Sequence, residues 1–113
     1  MWRGNTSTVP TFVLERVIPP ALNIADAENV ALHSRWAADA YHAAGIVWLG
    51  GVATDKGNMY SLVVADSAAD IARYCASLGI AEADYRCSQV VTPMGPSVAM
   101  ARTDPRYRPM RRS

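Results

Sequence analysis

The sequence predicts an α+β domain of order β-α-β-β-α-β, in which a four-stranded antiparallel sheet carries two helices on one face. Two observations predict it. Mid-chain, residues 45–66 hold two apolar runs, 46–53 and 59–64, separated by Thr54-Asp55-Lys56-Gly57-Asn58. Both runs are rich in Val, Leu and aromatic residues, which fit a pleated surface, and the separator tolerates the positive φ of a tight turn, so the stretch reads as a β-hairpin. On each side of this hairpin lie one helix-like and one strand-like segment, which gives the order its symmetry.

The elements follow in turn. Residues 1–10 read as a polar lead-in. The first strand, 11–18, alternates Phe12, Leu14, Arg16 and Ile18 on one side with Val13, Glu15 and Val17 on the other, and Pro19-Pro20 stops it. An alanine-rich helix is expected from about 26 to 44, with Gly45 at its C-terminal cap. Its apolar stripe runs from Leu32 and Ala43 through Trp36 and Ala40 to Ala37, Ala44 and Val30, with His33 in the middle. Glu28, Arg35, Asp39 and His42 fall opposite.

After the hairpin, Ser67 with Asp70 three residues on is a variant of the capping box for a second helix over 68–78, closed by Gly79. Ala68, Ile71, Cys75 and Leu78 share its inner face, with Tyr74 at the edge. Residues 81–84 read as a turn and 85–91 as the last strand. From Pro93 onward five arginines and repeated prolines mark a tail that is disordered alone or lies along a partner. The domain is thus a ferredoxin-like sandwich over 11–92. The sheet face away from the helices would also be apolar, which predicts a homodimer packed sheet on sheet, as in a dimeric α+β barrel.

Composition narrows the function classes. The formal net charge is +1 over 113 residues, so no global charge points to nucleic acid, and the tail lacks an aromatic-interleaved stacking pattern. No charged segment followed by an apolar run opens the chain, and no apolar run reaches the length of a membrane helix. Cys75 and Cys87 are neither a CxxC pair nor a disulfide framework, and free thiols suit a reducing compartment. The expectation is a cytoplasmic protein. Motifs for dinucleotides, nucleotide phosphates, zinc proteases and serine hydrolases are absent.

The candidate site residues are scattered. His33 is a candidate metal ligand or general acid/base in a pocket between helix and sheet, or else a core histidine. Cys87 is a second candidate ligand for a divalent transition metal, although such a site wants three or four donors. Glu15 is a candidate carboxylate in a cavity or in the dimer seam, or the ion-pair partner of Arg86 across the sheet. Gly50 and Gly51 either open space for a ligand beside Trp48 and Tyr60 or form a β-bulge. Tyr74 and Tyr41 read as edge phenols with wet hydroxyls, or as donors to a ligand carbonyl.

The strings FVLERVIP, GIVWL, MYSLVVAD, SAADIARY and GIAEADYRCSQV together resemble a bacterial family of small ferredoxin-like dimers, once a domain of unknown function and typified by a nickel-binding protein. The resemblance spans about residues 11–92. It implies the fold, a homodimer and nickel binding. It departs where that family carries His-Ser-Tyr after the tryptophan, here Gly50-Gly51-Val52, where it carries cysteine, here Ser61, and where it carries a helical histidine, here Tyr74. Those departures suit a pocket reshaped for an apolar organic molecule. The expected function is therefore a dimer holding a small ligand or a metal ion. The alternative is a cofactor-independent enzyme of the cyclase, isomerase or small-monooxygenase type. In that alternative His33 moves a proton, Tyr74 or Ser61 holds a carbonyl oxygen, and Trp36, Trp48 and Tyr60 shape the cavity.

Overall fold

The computed structural model describes residues 9–95. The expected lead-in up to residue 8 and the Pro/Arg-rich tail from residue 96 lie outside the described residues. The elements are β1 (Thr11–Val17), α1 (Ala27–Ala43), β2 (Val47–Ala53), β3 (Asn58–Val64), α2 (Ala68–Ser77), a single 3₁₀ turn (Glu82–Asp84) and β4 (Tyr85–Gln89). The sheet runs β2-β3-β1-β4 and every pairing is antiparallel. This is the ferredoxin-like split βαβ topology, with the two strands of the hairpin on one flank and β1 in the interior.

Local signals explain the element ends. Asp26 caps α1, its carboxylate accepting hydrogen bonds from the backbone N–H groups of Glu28 and Asn29. Both helices end in the same way. Gly45 at φ +77° and Gly79 at φ +75° follow the caps Ala44 and Leu78. The Ile46 N–H then donates to the Tyr41 carbonyl and the Ile80 N–H to the Cys75 carbonyl, each at 2.9 Å, the reach-back bond of a Schellman motif. In the hairpin turn the Thr54 N–H donates to the Asn58 carbonyl at 2.8 Å, and Gly57 alone adopts positive φ there.

Three expectations are corrected. Ser67 stands at the N-cap of α2, but its side chain makes no capping bond. The 81–84 turn is the short 3₁₀ helix. The buried arc of α1 is rotated from the expected stripe: Ala37 and Tyr41 are buried, whereas Leu32 and Trp36 are 60% and 49% exposed. The reason is Tyr41. Its ring stacks on Tyr74 of α2, with centroids 4.3 Å apart, and both residues are buried instead of standing at wet edges.

Directly opposed residues in a sheet share a face. Phe12, Leu14 and Arg16 of β1 oppose Val63, Ser61 and Met59 of β3 and therefore face the helices. Phe12, Leu14, Val63 and Ile46 join Ala65, Ile71 and Cys75 in the core. The other face presents Val13, Glu15 and Val17 beside Leu62, Tyr60 and Asn58, with Val47 and Val52 on the edge strand. No element covers that second face among the described residues.

Candidate functional site

A cleft of about 510 Å³ lies between α1 and the β2-β3-β1 part of the sheet. The helix supplies Val30, His33, Ser34, Trp36, Ala37 and Tyr41 to its walls. The sheet supplies Arg16, Trp48, Met59 and Ser61, and Leu22 and Ile24 from the β1–α1 loop close one end. That loop is tied down by Asn29, whose side-chain oxygen accepts from the Asn23 N–H at 2.7 Å. Tyr74 reaches the cleft from α2 behind Tyr41.

The edge strand shapes the opening. The pairing of β2 with β3 slips between Trp48 and Gly50, so a β-bulge sits there, and Gly50 takes φ +138°, a conformation that favours glycine. A Cβ on Gly51 would meet the Tyr60 carbonyl oxygen at 2.5 Å and the Ser61 Oγ at 3.3 Å. The glycine pair lies at the bulge, and both residues border the cleft.

Of the sequence candidates, His33, Tyr74, Trp36, Trp48, Gly50, Gly51 and Ser61 come together at this cleft. The His33 and Trp36 rings lie with centroids 5.5 Å apart, and Trp48 stacks on Tyr41. Tyr60 borders the cleft, but its phenol points to the other face, where it donates to a Glu15 carboxylate oxygen at 3.3 Å. Glu15 is thus outside the cleft. It also accepts from the Asn58 side chain at 3.1 Å, and although Arg86 stands opposite it in register, the ion pair found among the described residues is Arg73 with Asp70. Cys87 packs against the core and does not line the cleft. Among the described residues no three His, Cys, Asp or Glu side chains gather as a metal site would require.

The cleft carries a positive bias from Arg16. Burial, and then the Arg16 guanidinium, push His33 below its ordinary range, so the imidazole is neutral at neutral pH. Burial drives the Tyr74 phenol well up, with the Tyr41 phenol adding to the effect, and Tyr74 stays protonated. Tyr41 is likewise raised by burial, while the neighbouring Ser61 hydroxyl pulls it back. On the far face, the Glu15 charge raises Tyr60. The Trp48 Nε1–H is buried and has no acceptor among the described residues.

Arg16 is the site residue that sequence reasoning missed. Its alternation put it on the same side of β1 as Phe12 and Leu14, which the structure shows to be the helix side. A lone arginine among core residues at that spacing was the signal available.

No family model, curated protein or solved structure matches the chain. No helix among the described residues is long and apolar enough to cross a membrane.

Proposed function

We propose that the protein binds a small apolar organic molecule in the cleft between α1 and the sheet. The cleft itself carries this reading. Its volume falls in the usual range for small-ligand sites, and its lining is largely aliphatic and aromatic with a few convergent polar groups. A metal ion, the other occupant implied by the resemblance to the nickel-binding family, finds less support, because His33 stands there without companion ligands among the described residues. Native mass spectrometry of the untreated protein tests the reading. A bound organic mass that survives chelation supports it. A metal adduct that chelator strips overturns it.

The reading includes a homodimer formed through the uncovered sheet face. Val17, Val47 and Val52 on that face are each more than half exposed, and Leu62 is 39% exposed. Glu15, Asn58, Tyr60 and Arg86 share the face with them, and exposed apolar side chains on three strands of one face support an interface. Sedimentation equilibrium tests it: the native chain should sediment as a dimer and Leu62→Asp as a folded monomer. A native monomer at micromolar concentration removes this part.

A second reading is favoured by one pair of residues. His33, neutral, and Tyr74, protonated, stand at the same cleft in the protonation states that a general base and a hydrogen-bond donor to a carbonyl need. The protein would then be a cofactor-independent enzyme acting on the same apolar class of molecule. Turnover of a bound ligand that is lost in His33→Ala, with ligand occupancy retained, separates catalysis from binding alone.

A further inference from the structure

We infer that the molecule the cleft takes is an organic acid, apolar in its body, whose carboxylate is held by Arg16. This rests on the cleft reading and specifies its ligand. Among the described residues Arg16 brings the one full positive charge to the cleft lining, and no Asp or Glu lines it. The adjacent acid, Glu15, is turned to the opposite face and engaged by Asn58 and Tyr60. Burial lowers His33 and raises the Tyr41, Tyr74 and Cys75 groups, and the positive charge of Arg16 pulls all four down. Arg16 lines the cleft and is half-buried. A partly buried arginine in apolar surroundings calls for an anion, and its planar fork suits a carboxylate bidentately.

The remaining polar groups agree. Ser61, Tyr41 and Tyr74 carry hydroxyl donors, and the Trp48 Nε1–H is buried without an acceptor among the described residues. Each of these groups can donate to a carboxylate oxygen. His33, held neutral beside Arg16, adds no second positive charge until an anion arrives. The body of the ligand would lie along Val30, Trp36, Ile24 and Met59.

The test compares 2-naphthoate with its uncharged analogue 2-naphthalenemethanol on the full chain. Affinities are measured by calorimetry at low salt, and the Trp48 indole N–H and His33 ring signals are followed by NMR. The acid should bind about tenfold or more tighter than the alcohol and shift both signals, the advantage expected of a charge-assisted pair. In Arg16→Gln that advantage should fall to less than about threefold with alcohol binding unchanged, and Arg16→Lys should keep part of it. Equal binding of acid and alcohol, or acid binding that leaves the Trp48 and His33 signals unmoved, overturns the inference while the cleft reading stands. Failure of both probes to bind overturns the cleft reading with it. The acid–alcohol comparison is made on the native chain, so it decides the matter even if Arg16→Gln does not fold.

Discussion

The rings of Tyr41 and Tyr74 lie 4.3 Å apart at 17° from parallel, one from each helix, and this stack closes the roof of the core beneath the cleft. It also sets the rotation of α1, which in turn brings His33 and Ser34 to the cleft. Replacing Tyr74 by Ala should cost about 3–5 kcal/mol, the range for deleting a buried aromatic ring. Tyr74→Phe keeps the ring and the stack and should cost no more than about 1 kcal/mol. Urea unfolding monitored by circular dichroism, with an unchanged m-value, checks both.

Gly51 is held by close approach of the backbone. Because an added methyl would press on the Tyr60 carbonyl oxygen, which cannot swing away as a side chain can, Gly51→Ala should destabilise by about 1–3 kcal/mol. The melting temperature of the variant against the native chain reads this directly. A neutral result would mean that the bulge absorbs the methyl.

His33 makes stability depend on pH in a stated direction. Its folded-state affinity for a proton is below that of the unfolded chain, so the unfolded state binds more protons below about pH 6.5. Stability should therefore fall as pH drops from about 6.5 toward the lowered folded value and level off beneath it. In His33→Gln this part of the slope should vanish, which a series of denaturation curves from pH 7 to 5 would show.

The same residue gives ligand binding the opposite trend. An anion beside Arg16 favours protonated His33, so binding an acid takes up a proton, and affinity for 2-naphthoate should rise as pH falls from 7 toward 5.5. Calorimetry in two buffers of different ionisation enthalpy measures the proton uptake. The naphthalene alcohol should show none.

The two thiols should differ in reactivity. Cys75 is fully buried in the core and its thiol is pushed up by burial; Cys87 is raised by burial too, but is only partly covered. Brief alkylation of the native protein should label Cys87 well before Cys75. Tryptic cleavage at Arg73 and Arg86 places the two on separate peptides for mass spectrometry.

Most of the fold could be read from local chemistry. Pro19-Pro20, Gly45, Gly57 and Gly79 punctuate the chain where the elements stop, and period-two alternation in β1 assigns both of its faces. What could not be read is tertiary. Tyr41 and Tyr74 are ambivalent residues by composition, and only the meeting of two helices buries them. Helical periodicity ranked Leu32 and Trp36 above Tyr41 on hydrophobicity alone, and so misplaced the inner arc. His33, Trp48 and the glycine pair were legible as candidates because each is unusual for its position. Arg16 was not, because an arginine in a strand usually finds a carboxylate, and only the topology shows that no Asp or Glu among the described residues joins it at the cleft.

Glu15 and Arg16 are consecutive, yet their side chains leave β1 in opposite directions. A single peptide unit separates a negative group on the outer face from a positive group on the inner one. The strand is in effect the thin insulator of a capacitor, polarised toward the helices. Charge gathered on one side lies only a strand's thickness from charge on the other. The cleft and the far face of the sheet are therefore not electrically independent compartments, and what fills one changes the potential that the other presents.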